Sequence, residues 1–199
     1  GTMNDLSRVI STRCHIPYVI IGTAPSMDGY ASATSAVLVD GDKISVPLQS
    51  PYGILCDTEL MRTAPEMMLA AGFCDVLGKY IAIRDWQLSE RETGEYFCPY
   101  IAGLVTSAVS ECIKEADRLF DGDEKVLLAI ANALVLSGVT ISMYGISRPA
   151  AGGEHRIAHC WEVAAVNSGN NRFLHGNYVG LGTLVMAKLY ELAEKEENL

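Results

Sequence analysis

Residues 18–32 read Tyr18-Val19-Ile20-Ile21-Gly22-Thr23-Ala24-Pro25-Ser26-Met27-Asp28-Gly29-Tyr30-Ala31-Ser32. An apolar, β-branched run gives way at Gly22 to a loop of small residues, hydroxyls and one carboxylate. Such a run fits a pleated, half-buried surface, and the Gly and Pro mark where it stops. The stretch predicts a strand whose end exposes a polar loop. A second stretch, Ser147-Arg148-Pro149-Ala150-Ala151-Gly152-Gly153-Glu154-His155, opens a helix in which His159 follows one turn later. A carboxylate loop at a strand end and a histidine-bearing helix point to a site for a polar ligand and a metal.

Outward from these stretches, two regimes divide the chain. Residues 1–57 are mixed. Leu6, Val9 and Ile10 repeat at helical spacing after Asn4 and Asp5, and the strand over 17–22 follows. Residues 36–39 and 44–48 flank Asp40-Gly41-Asp42-Lys43, a hairpin signal, and 52–56 predict one more short strand. Only the first of these runs has the apolar character of a buried parallel strand. Residues 58–199 read helical. Thr63-Ala64-Pro65-Glu66 has capping-box spacing and predicts a helix through Asp75 and Lys79 to about Asp85. Two long helices are expected over 92–119 and 124–144, the second apolar nearly all round and therefore central. A shorter helix begins near His155. After the loop 167–171, His175 precedes a last helix that ends in Glu194–Glu197.

The composition narrows the function. The chain has 199 residues, 49% hydrophobic and 20% charged, enough for a real core. A formal net charge of -9 with scattered basic residues argues against nucleic acid or an anionic membrane as the main partner. Six widely spaced cysteines without a Cys-x-x-Cys pair fit reduced thiols better than a disulfide framework or zinc ribbon. The start is polar and lacks an apolar h-region, and the apolar run 126–139 is short for a bilayer span. A soluble, cytoplasmic protein is expected.

Asp75, His155, His159 and His175 are the candidate metal donors, because a catalytic divalent ion takes three His, Asp or Glu ligands and keeps a position for substrate. His155 and His159 lie four apart and share a helix face. Chance spacing among the four histidines of the chain explains the same pattern. Asp28 can accept from a polyol hydroxyl or close an Asx-turn, the commoner use. Gly1, Thr2, Met3, Asn4 and Asp5 open a helix, where amides either cradle a pyrophosphate or are simply capped. Lys79, one turn after Asp75, either binds a phosphate or pairs with that carboxylate. Arg148 is either a phosphate clamp or a solvated loop charge. Residue type alone leaves these alternatives open. Trp86 and Trp161 fit a core.

Four motifs resemble the sn-glycerol-1-phosphate dehydrogenase family, a branch of the iron-containing alcohol dehydrogenase and glycerol dehydrogenase superfamily. They are Thr23-Ala24-Pro25-Ser26-Met27-Asp28-Gly29-Tyr30-Ala31-Ser32; Gly72-Phe73-Cys74-Asp75-Val76-Leu77-Gly78-Lys79 with Asp85-Trp86 behind it; Ser147-Arg148-Pro149 through Glu154-His155 to His159; and His175-Gly176 with Val179-Gly180-Leu181-Gly182-Thr183. Their order is the family's. Cys74 stands where glycine is expected in many relatives.

The resemblance implies a partial α/β nucleotide-binding domain over 1–57 and an all-α metal- and substrate-binding domain over 58–199. This is a dehydroquinate synthase-like, glycerol dehydrogenase-like architecture, expected to be incomplete at both ends. It implies Asp75, His155 and His175 as ligands of one divalent ion (zinc, or nickel or iron). Asp28, Asp75 and His159 are implied substrate contacts, with Asp75 and His159 catalytic. Gly1–Asp5, Thr23, Ala24, Pro25, Ser26 and Ser32 are implied to line NAD or NADP. Lys79 and Arg148 are added as candidates for a substrate phosphate. The implied reaction interconverts dihydroxyacetone phosphate and sn-glycerol 1-phosphate, a step of phospholipid metabolism. A glycerol or other polyol dehydrogenase, or a catalytically incomplete metal-binding subunit, are the alternatives. Unpartnered strands further predict a homo-oligomer, or a complex with a chain that supplies neighbouring strands.

Overall fold

The computed structural model describes residues 1–39, 42–170 and 172–197. Helix α1 (Thr2–Cys14) leads through His15, which adopts the left-handed φ of 55° and returns its N–H to the Ser11 carbonyl, into strand β1 (Val19–Gly22). Strands β2 (Thr34–Val39) and β3 (Asp42–Pro47) pair antiparallel, Thr34 opposite Pro47 and Val39 opposite Asp42. The hairpin is therefore where its flanks predict it, while Asp40 and Gly41 at its tip lie outside the described residues. Strand β4 (Gly53–Cys56) runs parallel to β1, with Val19 opposite Gly53 and Ile21 opposite Leu55. The expectation of a single parallel-type strand is corrected here. The β4 partner is short and far away in sequence, so no local pattern announces the pairing.

Helix α2 (Thr58–Met61) starts at Asp57, whose carboxylate accepts from the amides of Glu59 (2.9 Å) and Leu60 (3.4 Å). Helix α3 (Glu66–Thr93) is preceded by Pro65 without a side-chain cap. The predicted capping box is not formed: the Thr63 hydroxyl donates back to the Leu60 carbonyl. The helix also runs past Asp85 and stops only where Gly94 takes a φ of 72°, a conformation that costs glycine little. The single helix expected over 92–119 is thus broken at Gly94. Helix α4 (Pro99–Lys114) restarts with proline in its first turn, and a 3-10 turn (Ala116–Arg118) follows it. Helix α5 (Glu124–Tyr144) has the predicted bounds, set by Asp123 accepting from the Lys125 amide and by Gly145 at a φ of 93°. Helices α6 (Gly153–Asn167) and α7 (His175–Glu197) complete the chain. Asn171, in the loop between them, lies outside the described residues.

The core sits among α3, α4 and α5. Trp86 is wholly buried, packs on Phe97 and Tyr144 at ring distances of 4.7 and 4.6 Å, and donates its indole N–H to the Tyr96 carbonyl. By length and mean hydropathy (2.1), α5 could cross a membrane. Its Val126, Leu127, Ile130, Ala131 and Leu134 are instead buried in the bundle, which makes it the central helix. Two close approaches set the site. A Cβ on Gly72 would lie 1.7 Å from the Pro25 carbonyl oxygen, and one on Gly176 would lie 1.9 Å from that of Ala71. Backbone contact at these glycines presses the 23–32 loop and the start of α7 onto the stretch of α3 that carries Asp75.

Candidate metal and substrate site

Three helices converge on one cluster. Asp75 projects from the middle of α3 and is wholly buried, His155 lies in the first turn of α6, and His175 is the first residue of α7. Their donor atoms lie within 4.8 Å of one another. The His155 and His175 rings are 5.3 Å apart, and His155 Nε2 is 3.5 Å from Asp75 Oδ1.

Each of these histidines is held from behind by a carboxylate. Glu154 Oε1 accepts from His155 Nδ1 at 2.7 Å and from the Gly152 amide at 2.9 Å. Glu162 Oε1 lies 2.9 Å from His175 Nδ1. A carboxylate on Nδ1 fixes the ring orientation and leaves Nε2 as the free donor, the usual backing of a metal-bound imidazole. Neither glutamate was predicted. Glu162 lies one turn after His159 on the same helix, but its partner His175 is remote in sequence.

The electrostatics favour a cation. Burial and the Lys79 charge oppose protonation of His155, yet hydrogen bonds to Asp75 and Glu154 and the Asp75 charge raise its pKa to about 9. Burial likewise opposes ionisation of Asp75, but Lys79 and His155 hold its carboxyl well below the ordinary range. The second oxygen of Glu154, Oε2, is buried without a hydrogen-bond partner among the described residues. A divalent ion fits two imidazoles and one carboxylate in such surroundings, both in ligand type and in charge.

The other predicted residues divide. Asp28 joins the cluster: its amide donates to Asp75 Oδ2 at 3.0 Å, and its Oδ2 accepts from Ser137 at 2.9 Å. His159 stands beside it, 6.1 Å from the His155 ring and 5.6 Å from that of His175. With Glu162 and His175 it forms a second donor group within 4.8 Å. Lys79 is buried and donates to Asp28 Oδ2 and Asp75 Oδ1, both at 2.7 Å. These two contacts make it a counter-ion to the cluster, the pairing with Asp75 that the sequence offered as the alternative to a phosphate contact. Arg148 is also engaged: its Nε lies 2.9 and 3.0 Å from the two Glu95 oxygens, and its Nη2 donates to Ser89.

Of the residues expected around the dinucleotide, Gly1, Thr2, Met3, Asn4, Thr23, Ala24 and Ser26 line one cavity of about 420 Å³ between α1 and β1. Asp5, Pro25 and Ser32 do not line it. Asp5 accepts from the Ser35 hydroxyl, Pro25 is packed against Gly72, and Ser32 bonds to Thr34. Their contribution here is to shape the loop.

Sequence and structure comparisons find similar proteins over most of the chain. Residues 1–65 match the iron-containing alcohol dehydrogenase family. The glycerol-1-phosphate dehydrogenase [NAD(P)+] of Halalkalibacterium halodurans is 38% identical over 191 residues, covering 96% of this chain and 48% of that protein. The enzyme of the same name from Methanosarcina mazei is 37% identical over 190 residues, covering 96% of this chain and 52% of that protein. Among solved structures, glycerol dehydrogenase from Schizosaccharomyces pombe superposes with a TM-score of 0.79 at 20% identity, over 96% of this chain and 49% of that one. An iron-containing alcohol dehydrogenase from Thermotoga maritima gives a TM-score of 0.61 at 18% identity, over 83% and 41%. The chain spans about half the length of the relatives it matches. Within that span it is similar throughout to glycerol-1-phosphate dehydrogenases, and its first 65 residues match the iron-containing alcohol dehydrogenases.

Proposed function

We propose that this chain supplies the metal- and substrate-binding machinery of an NAD(P)-dependent dehydrogenase that interconverts dihydroxyacetone phosphate and sn-glycerol 1-phosphate. The observation that carries the reading is the convergence of Asp75, His155 and His175, with donor atoms within 4.8 Å, beside the Asp28 loop. A bound divalent ion supplies Lewis acidity to the substrate oxygen, and a bound nicotinamide accepts or donates the hydride. Asp75, His155 and His175 hold the ion, zinc being our choice for this donor set. Glu154 and Glu162 keep the two imidazoles in register, and Lys79 balances the charge of Asp28 and Asp75. Asp28 and Asp75 contact the substrate hydroxyls, and His159 takes or returns the proton of the reacting hydroxyl. The cavity between α1 and β1 receives the pyrophosphate at the N-terminus of α1. The product places the chain in phospholipid metabolism.

Metal content and nucleotide reduction test the proposal together. One ion per chain is expected, lost in Asp75→Ala and His175→Ala and largely kept in His159→Ala. Reduction of NAD or NADP should depend on sn-glycerol 1-phosphate and not on glycerol. Turnover of glycerol alone would shift the assignment to a polyol dehydrogenase, and metal binding without nucleotide binding would leave a non-catalytic subunit.

A further inference from the structure

A cavity of about 400 Å³ opens beside the histidines, between the 146–151 turn and the first turns of α6. His155 and His159 form one part of its wall, and Arg148, Arg156 and Glu95 another. Two guanidinium groups therefore face one carboxylate in a cavity that touches the proposed metal cluster. This position suits the part of a substrate that does not react.

The cations are not equivalent. Arg148 is bound through Nε and Nη2 to Glu95, within 3.0 Å, and to Ser89. Arg156 is exposed and makes no ion pair or side-chain hydrogen bond among the described residues. Two backbone amides where α6 begins are already engaged. The Gly152 amide already donates to Glu154 Oε1 and the Gly153 amide to Asp85 Oδ2, at 2.9 and 2.5 Å. Lys79 is locked between Asp28 and Asp75. Arg156 and His159 are three apart on α6 and so share a face. A three-carbon substrate held at the histidines would present its far end to Arg156.

We propose that this cavity is the anion end of the substrate site and that Arg156 binds the phosphate of a phosphorylated three-carbon polyol or ketone. The identity of the ligand rests on the dehydrogenase reading above. The geometry of an unengaged guanidinium beside the histidines does not. Glu95 has a matching role. It keeps Arg148 neutralised, so the cavity offers one strong phosphate fork and not two. The planar donor array of arginine suits phosphate better than a lysine ammonium does.

The test is calorimetric titration of the metal-loaded chain with inorganic phosphate, sn-glycerol 1-phosphate and glycerol, with metal content measured alongside. Arg156→Gln should weaken both phosphate ligands about tenfold or more, the range of a lost charged hydrogen bond. It should leave glycerol binding and metal content as they are. Arg156→Lys should recover part of the loss. Arg148→Gln should change phosphate binding less than threefold, and Glu95→Gln, which frees Arg148, should strengthen it. Absence of phosphate binding in the unaltered chain, wild-type binding in Arg156→Gln, or loss centred on Arg148 would overturn the assignment. Turnover of sn-glycerol 1-phosphate with an unchanged KM in Arg156→Gln would sink it while leaving the dehydrogenase reading intact. Arg156-dependent phosphate binding without any turnover would do the reverse.

Discussion

The helical region and the strand region of this molecule bury their apolar residues to very different extents. In the helices Trp86, Ile130, Leu134 and Val179 are sealed from solvent. In the parallel pair only Ile20 and Ile54 reach the core, while Val19, Ile21 and Leu55 are about 60, 60 and 57% exposed. Every proposed metal donor stands on α3, α6 or α7, in the region that holds the buried core. The cavity proposed for the dinucleotide lies between α1 and β1, in the region that does not. Metal chemistry demands donors fixed to a fraction of an ångström. Close helix crossings at Gly176 and Gly182 supply that, and the open sheet does not.

The widest contrast should come from matched truncations. Trp86→Ala removes a buried ring and its hydrogen bond to Tyr96, and is expected to cost about 3–5 kcal/mol. Ile21→Ala removes a largely solvated side chain and should stay within about 0.5 kcal/mol. Urea unfolding followed by circular dichroism compares them. Similar losses would mean that the sheet is as well packed as the bundle.

Lys79→Met probes the charged centre of the packed region. It leaves Asp28 and Asp75 without their cation and should cost about 3–5 kcal/mol, the penalty for breaking a buried pair. The pH dependence carries the sign. Burial would raise the Asp75 pKa, but Lys79 and His155 win and lower it below its unfolded value. Asp75 therefore adds stability above about pH 4, and that stability is lost as pH falls further. In Lys79→Met the depression should be largely gone, so the acid decline attributable to Asp75 shrinks. Urea midpoints between pH 7 and pH 3 would show this, and parallel profiles for the two proteins would refute it.

What could be read from sequence follows the same division. The bounds of α5 were legible because Asp123 and Gly145 are local start and stop signals. The break at Gly94 was not, because residues 92–119 keep enough helical character to hide one left-handed glycine. Residue type and spacing offered Asp75, His155, His159 and His175 as metal donors, and only the family resemblance set His159 apart from the other three. Their neighbours could not be read in this way. Whether Lys79 and Arg148 are available is decided by Asp28 and Glu95, which reach them across 51 and 53 residues of chain. Arg156 was overlooked because nothing in its local sequence says that its neighbours leave it unengaged.

Glu162 offers a finer cut within the helical region. If it orients His175, Glu162→Ala should weaken metal binding about tenfold to a hundredfold, and Glu162→Gln, which still offers an acceptor, by less. Competition with a chromophoric chelator measures this without any need for turnover. Wild-type affinity in Glu162→Ala would remove the orienting role. Loss of a second ion per chain would instead assign Glu162 to the His159–Glu162–His175 group.

The smallest change in stability is expected at the open sheet, and it sharpens the comparison most. Val19, Ile21 and Leu55 share one exposed face, because Val19 and Ile21 alternate along β1 and Leu55 pairs with Ile21. A contiguous apolar face beside strand edges recruits another surface. A second copy of this chain is the occupant we expect. Ile21→Lys places a charge on that face without touching the core, so folding stability should move by no more than about 0.5 kcal/mol. Association should respond much more strongly. Sedimentation velocity at tens of micromolar should find the unaltered chain partly dimeric and Ile21→Lys shifted toward the 21.5 kDa monomer. A clean monomer in both would show that this face needs no cover. Equal dimerisation in both would place the contact elsewhere. Only a shift confined to the variant ties association to the region whose apolar residues the fold leaves outside.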